Sequence, residues 1–405
     1  MGCGALSVII NWNMAANISL YIHIPFCIRK CSYCSFVSYS GRQDAMEQYS
    51  QALTREIIQR VDNRMLKSVY FGGGTPSLLP ADHISRLLEC IGTHLPQNRE
   101  IEISLEANPG TINHKHLYAM LSSGVNRLSI GLQSLDDGEL GVLGRLHSSA
   151  EGLNAVAYAR GVGFKNINLD LIYGIPGQTL PSWQYTLEGV LSLEPEHLSL
   201  YGLSLESGTA MMEKIEAGEL PTIDPDVSAE QYELAEKILA AKGYRHYEIS
   251  NWAKPGFECR HNMVYWKNEE YIGVGAGACS HIGGHRFLNT SSLEKYIDAF
   301  TGNGAAVESD ETISPEMAAA EAAILALRLE EGVEISSYNN DYKTDILSVN
   351  SKEIKELESY GLIENNGVNI KLTPRGRLLG NEVFWRFLPA SSAQNDTNQV
   401  AMERE

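Results

Sequence analysis

The chain has 405 residues, 43% of them hydrophobic, which fits one large globular domain with a smaller one. Its 32 basic and 50 acidic side chains give a formal net charge of -18, which opposes nonspecific binding to nucleic acid or anionic lipid. No apolar run reaches membrane-spanning length, and the start of the chain resembles neither a secretory nor a mitochondrial leader. We therefore expect a cytoplasmic protein with no nucleic-acid partner and no stable membrane insertion.

The first strand pattern leads into a loop that carries three cysteines, Cys27, Cys31 and Cys34. Thiolates suit an iron-sulfur cluster or zinc, and a four-iron cluster held by three of them keeps one iron open to another ligand. Zinc is the competing interpretation, but no Cys or His lies close after Cys34 to provide a fourth ligand. Disulfides are disfavoured, since seven cysteines is an odd number in a chain without a secretory signal. We predict an iron-sulfur site.

Helical and strand patterns alternate from residue 43 to about residue 250. Such alternation predicts a parallel sheet with crossover helices. With the strand at Leu20 there are six units, too few for a closed eight-unit barrel, so we predict an α/β fold with an open partial (β/α)6 barrel. The other predicted strands are 68–71, 100–106, 127–131, 167–172 and 197–202.

Polar or glycine-rich stretches follow these strands, where the ligands of parallel sheets bind. Phe71-Gly72-Gly73-Gly74-Thr75 follows the second strand, and its glycines let the backbone approach a ligand closely. Taken singly, each polar residue is more often a solvated or capping group, because loop polar residues are common. Together they predict one ligand crevice, lined by Glu106, Gln133, Asp170 and Arg145.

The succession of motifs resembles the radical S-adenosylmethionine (SAM) family of oxygen-independent coproporphyrinogen oxidases and their relatives, over residues 20 to about 385. The motifs are Tyr-x-His-Ile-Pro-Phe-Cys, Gly-Gly-Gly-Thr-Pro, Glu-Ala-Asn-Pro-Gly, Gly-x-Gln-Ser, Leu-Gly-Arg-x-His and Asp-Leu-Ile-x-Gly-x-Pro-Gly-Gln. The resemblance implies a 4Fe-4S cluster on the three cysteines. It also implies SAM contacts at Tyr21, Tyr33, Gly73, Gly74, Thr75, Glu106, Gln133, Arg145 and Asp170.

Two departures divide this family. The oxidases have a fourth cysteine two positions after the third, where this chain has Phe36, the pattern of the HemW-type heme chaperones. The motif His-Asn-x-x-Tyr-Trp also marks that branch. It implies heme contacts at His261, Tyr265 and Trp266. His, Cys and Tyr can each ligate heme iron, so Cys259 and Tyr265 stay open as ligands. The residues alone favour a different interpretation, in which the motif is a buried hydrogen-bonded histidine beside a core aromatic pair.

Three functions remain open. They are a heme chaperone with a SAM-ligated cluster, a radical enzyme that decarboxylates a porphyrinogen, and a catalytically silent relative. The resemblance favours the chaperone, without oxidase activity. Its partners would be heme, a heme-acceptor protein and an electron donor.

After Pro315 the pattern changes to helices followed by a hairpin, which predicts a small winged-helix-like α+β domain. Acidic side chains outnumber basic ones in this region, which disfavours DNA binding. We therefore divide the chain into a disordered extension, a radical SAM core, a heme-motif and connecting segment, the C-terminal domain and a disordered tail. Their bounds are 1–17, 18–250, 251–309, 310–388 and 389–405.

Overall fold

The structure is a computed structural model that describes residues 17–61, 63–302, 304 and 306–389. Apart from Asn17 and Pro389, the predicted extension and tail lie outside the described residues. Within them, no helix is long and apolar enough to cross a membrane.

The strands, in chain order, are β1 Asn17–Ile24, β2 Phe26–Cys27, β3 Tyr39–Ser40, β4 Met65–Gly73, β5 Gln97–Ala107, β6 Arg127–Gln133, β7 Ile167–Tyr173, β8 His197–Gly202, β9 Arg245–Glu248, β10 Asn251–Ala253, β11 Tyr271–Val274, β12 Cys279–Ile282, β13 His285–Asn289, β14 Val307–Thr312, β15 Val333–Glu334, β16 Ile363–Asn365 and β17 Asn369–Leu372. The helices are α1 Met46–Arg60, α2 Ala81–His94, α3 His114–Ser122, α4 Asp137–Leu143, α5 Ser149–Val162, α6 Leu180–Leu191, α7 Ala210–Glu216, α8 Pro225–Ala241, α9 Arg260–Trp266, α10 Leu293–Thr301, α11 Pro315–Leu327, α12 Ile335–Tyr342, α13 Ile346–Val349, α14 Ser351–Ser359, α15 Pro374–Leu378 and α16 Gly380–Phe384.

The centre of the molecule is a run of six parallel strands in the order β1, β4, β5, β6, β7 and β8. Each strand pairs with the next one predicted from the sequence, so the open six-unit arrangement is confirmed. The hydrophobic core is continuous across these strands and their helices, and includes the buried side chains of Ile22, Val69, Leu128 and Trp183.

The sheet extends beyond the six parallel strands at both edges. Antiparallel β10 and β9 follow β8. At the other edge β11 pairs parallel with β1, and β12, β13 and β14 continue antiparallel. The result is a mixed sheet of twelve strands that does not close. Residues 251–309, predicted to be a connecting segment, therefore build part of the sheet. Their strands have only three to five residues and alternate weakly, so the sequence pattern did not reveal them.

The C-terminal region has its own hydrophobic cluster, formed by α11, α12, α14 and a three-stranded sheet in the order β15, β17, β16. The predicted helices and hairpin are confirmed, with the turn at Asn366 and Gly367, where Gly367 has a φ of 80°.

Candidate cofactor site in the mouth of the partial barrel

The inner face of the six parallel strands is lined by polar side chains at every second position. Neighbouring strands join through these groups. Ser68 donates to Ser19 at 2.9 Å, and Asn168 donates to Ser129 at 2.7 Å and to Ser199 at 2.9 Å. Because side chains alternate between the two faces of a strand, the other positions pack outward against the helices. The interior of the partial barrel is therefore filled with polar side chains up to the carboxyl ends of the strands.

The cysteine loop follows β1 at this end, begins with the short strand β2, which pairs with β3, and is further held by contacts with other segments. Ser32 N–H donates to the Leu143 carbonyl at 3.1 Å, and the Ser32 carbonyl accepts from Met211 N–H at 2.8 Å. The Arg29 side chain donates to the carbonyl of Gly144 at 2.7 Å. These contacts fix the loop against the segment after α4, which carries Arg145.

Cys27, Cys31 and Cys34 are all free thiols. Burial raises the pKa of Cys27 and raises that of Cys34 to about 11. A bound metal cation reverses this effect because thiol ligands of metals are deprotonated. Among the described residues, no three His, Cys, Asp or Glu side chains are grouped as ligands of a single metal ion. Three thiolates on one loop fit a cluster, in which each thiolate binds a different iron.

The glycine-rich turn after β4 lies directly against the cysteine loop. A Cβ added to Gly74 would be 3.0 Å from Cys27 Sγ, and one added to Gly73, whose φ is 112°, would be 2.5 Å from the His23 ring. Thr75 Oγ1 donates to Cys27 Sγ at 3.6 Å. The turn therefore requires glycine at both positions.

Arg145 connects the loop to β6. Its Nη1 donates to Cys31 Sγ at 3.5 Å and its Nη2 to the Gly131 carbonyl at 2.9 Å, and its charge acts on Tyr33 of the loop. Gln133 has a left-handed backbone, with a φ of 67°. Gln133 Oε1 and Arg145 Nε are buried without a hydrogen-bond partner among the described residues. An acceptor and a cationic donor are thus available for a ligand that offers both kinds of group.

Two carboxylates complete this end of the barrel. Glu106 accepts from the Tyr70 hydroxyl at 2.9 Å and from Gly73 N–H at 3.2 Å. Burial, followed by the negative charge of Asp170, raises the pKa of Glu106 to about 7. Burial also raises the pKa of Asp170, which accepts from Ser129 at 3.0 Å.

Tyr21 lies one layer deeper, with its hydroxyl 3.0 Å from His23 Nδ1 and its ring stacked on Tyr70 at 6.3 Å between centroids. Direct contacts thus link the cysteine loop to the glycine-rich turn and to Arg145, and the turn to Glu106, while Asp170 acts on Glu106 through its charge. Sequence reasoning missed Tyr70, His23 and the fully buried Arg127. The informative pattern was present, because polar residues alternate as Ser68-x-Tyr70 and Arg127-x-Ser129 inside the predicted strands.

The predicted heme motif forms helix α9, which packs into the barrel interior below Tyr21 and Tyr70. His261 is fully buried; its Nδ1 is 2.8 Å from Ser68 Oγ and its Nε2 is 3.0 Å from the Tyr265 hydroxyl. Burial lowers the pKa of His261 to about 3, so the ring is neutral. Iron ligation by His261 stays a prediction, and it would require Nε2 to leave Tyr265. Cys259 is also fully buried, 3.6 Å from Glu102 Oε1.

Tyr265 and Trp266 are only half-buried. Trp266 Nε1 is shielded from solvent and has no hydrogen-bond partner among the described residues. The Arg328 guanidinium lies 5.3 Å from the centre of the Trp266 ring.

Comparison with known proteins agrees with this geometry. Residues 21–188 match the radical SAM superfamily, and residues 313–379 match the HemN C-terminal domain. The heme chaperone HemW of Bacillus subtilis is 37% identical over 374 residues, covering 91% of this chain and 99% of the relative. The mitochondrial radical S-adenosyl methionine domain-containing protein 1 of Bos taurus is 36% identical, covering 85% of this chain and 81% of the relative.

Among solved structures, the coproporphyrinogen III oxidase HemN of Escherichia coli, described as a radical SAM enzyme, superposes with a TM-score of 0.80 at 26% identity. The match covers 92% of this chain and 90% of HemN. The cysteine loop, the contacts around it and the near full-length identity together lead to one conclusion: the chain belongs to the radical SAM superfamily and, within it, to the HemW heme chaperone family.

Proposed function

We propose that this protein is a heme chaperone that binds heme, holds a SAM-ligated 4Fe-4S cluster and passes heme to an acceptor protein in the cytoplasm. The identity with HemW over nearly its whole length carries the proposal. Phe36 supports it, because the side chain at the oxidases' fourth cysteine position is 51% exposed and offers no metal ligand.

Cys27, Cys31 and Cys34 would hold the cluster, which when bound supplies an electron-transfer centre with one iron open to SAM. Gly73 and Gly74 bring backbone close to that position, and Arg145 provides a cation for a carboxylate. Gln133 Oε1 and Arg145 Nε, which have no hydrogen-bond partner among the residues that the structure describes, fit a ligand that carries amino, hydroxyl and carboxylate groups, as SAM does.

Heme, as the cargo, brings an aromatic plane and two carboxylates. Trp266 and Tyr265 offer aromatic surface. The indole N–H of Trp266, which has no partner in the described part of the chain, offers a donor to a propionate, and the neighbouring Arg328 offers a cation. These groups support a heme contact at the outer side of α9.

The decisive experiment uses the anaerobically reconstituted protein. We expect the visible spectrum to change on heme titration, the bound heme to move to an apo-heme acceptor, and no carbon dioxide to form from coproporphyrinogen III with SAM and a reductant. Replacing all three loop cysteines by serine should remove iron and sulfide while heme still binds. Steady conversion of coproporphyrinogen by the native protein would establish the oxidase alternative instead.

The heme contact is tested by Trp266→Phe, which keeps an aromatic ring and removes the indole N–H. We expect heme affinity to fall by about tenfold, since losing one hydrogen bond to a charged group costs about 1.5 kcal/mol. Trp385→Phe is the matched control, because Trp385 is 55% exposed on the C-terminal domain. Equal heme affinity of the two variants would place the heme elsewhere.

A further inference from the structure

A continuous line of side chains runs from helix α9 to the glycine-rich turn at the mouth. It begins at His261, whose two ring nitrogens contact Ser68 and Tyr265. Ser68 donates its own proton to Ser19, so Ser68 is an acceptor for His261 Nδ1–H, and Nε2 accepts from the Tyr265 hydroxyl. Both ring nitrogens of His261 are therefore hydrogen-bonded within the protein, which fixes the orientation of the ring.

The His261 ring stacks on Tyr70, with centroids 5.1 Å apart and planes 27° apart. The Tyr21 ring lies 6.3 Å from the Tyr70 ring, with planes 22° apart, and 6.4 Å from the His261 ring, so the three rings form a triangular cluster. These contacts with Tyr21 and His261 restrict the Tyr70 ring and so position its hydroxyl. That hydroxyl donates to Glu106 Oε1 at 2.9 Å.

Glu106 transmits this constraint to the mouth. Its second oxygen accepts from Gly73 N–H at 3.2 Å, and Gly73 belongs to the turn that packs against Cys27. A carboxylate with one oxygen fixed by Tyr70 and the other by Gly73 has a single favoured orientation.

We propose that Tyr70 and His261 are positioning residues for the SAM site: His261 holds the ring of Tyr70, and Tyr70 orients Glu106 against the glycine-rich turn. His261, the first residue of the α9 motif, then acts on SAM affinity from inside the barrel. This inference rests on the proposed function to the extent that it assumes SAM binding at this mouth.

The test is equilibrium binding of SAM to the anaerobically reconstituted protein, with iron content and heme affinity measured on the same samples. Tyr70→Phe keeps both ring contacts and removes only the hydroxyl. We expect the Kd for SAM to rise about tenfold, with iron content and heme affinity unchanged. Tyr173→Phe is the matched control, because Tyr173 lies on β7 and faces Trp183 outside the barrel.

His261→Asn keeps a donor toward Ser68 and removes the ring from Tyr70. We expect the Kd for SAM to rise at least fivefold while the iron content stays that of wild type. Coupling is tested in a Glu106→Gln background, where Tyr70→Phe should change SAM affinity by less than twofold because its target is already altered.

SAM affinities of both single variants within twofold of wild type would overturn the inference and leave the proposed function intact. So would an undiminished effect of Tyr70→Phe in the Glu106→Gln background. A wild-type protein that binds heme but no SAM would refute the proposed SAM site, and the inference with it. If His261→Asn does not fold, Tyr70→Phe alone decides.

Discussion

Glu106 shows how the mouth of the barrel changes the chemistry of one residue. Its pKa is raised to about 7 from the ordinary value of 4.5, first by burial and then by the negative charge of Asp170. An acid whose pKa is higher in the folded chain binds a proton on folding. Its contribution therefore favours the folded state at low pH and is lost as pH rises from about 4.5 through about 7.

Replacing this carboxyl should alter the pH dependence of stability. We expect the unfolding free energy of Glu106→Gln, measured relative to that of wild type, to increase by about 1 to 2 kcal/mol from pH 5.5 to pH 8.5. The reason is that only the wild type must ionise a buried acid over this range. Urea unfolding of the cluster-free protein at both pH values measures it. Glu100→Gln, an exposed change at the start of β5, is the control. A stability difference independent of pH would contradict the shifted pKa.

Residues at strand ends could be predicted, whereas residues within strands could not. Glu106 and Gln133 were found because the carboxyl ends of parallel strands meet at one edge, whereas Asp170, in the middle of β7, was found through its motif. Tyr70 and Arg127 lie deeper in their strands, and their roles depend on groups from distant parts of the chain. Arg127, for example, donates to Ser104 of β5 at 3.5 Å and lies near the carboxylate of Glu102. Such pairings follow from strand register, which one sequence does not specify.

Helix α9 begins without a capping side chain of its own, since Cys259 makes no cap hydrogen bond. Glu102, from β5, takes that place: its carboxylate accepts from Arg260 N–H at 3.0 Å and from His261 N–H at 3.1 Å. A capping residue more than 150 positions away cannot be recognised from the sequence near the helix. The α9 motif was therefore identified from the sequence, but its position inside the barrel was not predicted.

Removing this carboxylate tests how the helix is held. We expect Glu102→Ala to lower the free energy of unfolding by about 2 to 4 kcal/mol, because two helix N–H groups lose their acceptor and buried Arg127 loses a neighbouring negative charge. Chemical denaturation measures the loss, and Glu100→Ala in the same strand should cost under about 0.5 kcal/mol. A small effect of Glu102→Ala would mean that other contacts dock α9.

At the scale of the whole molecule, a charge pair joins the large sheet to the C-terminal domain. Arg286 of β13 donates to Glu321 of α11 at 2.8 Å, and the Glu321 side chain is only 6% exposed. Removing the arginine would leave a buried carboxylate unpaired, which costs more than the pair contributes when intact.

We therefore expect Arg286→Met to destabilise the protein by about 2 to 4 kcal/mol, and the double change Arg286→Met with Glu321→Leu to recover most of the loss. Thermal unfolding of the wild type, the single variant and the double variant measures these differences in stability. A double variant as unstable as the single one would show that the pair matters through geometry rather than through desolvation.

The strand before the cysteine loop is interior to the sheet, with β4 on one side and β11 on the other. Residues just after β11 also support the loop: Tyr49 donates to the His23 carbonyl at 2.7 Å and accepts from Ala276 N–H at 2.9 Å. During synthesis, β1 leaves the ribosome some 250 residues before this second neighbour, and such distant pairings form late.

A chain ending at residue 259 should therefore purify without iron after anaerobic reconstitution, and stoichiometric iron in that fragment would contradict this order of events. Cluster binding would then require the completed sheet, so an unfinished polypeptide would not take up an oxygen-sensitive cluster.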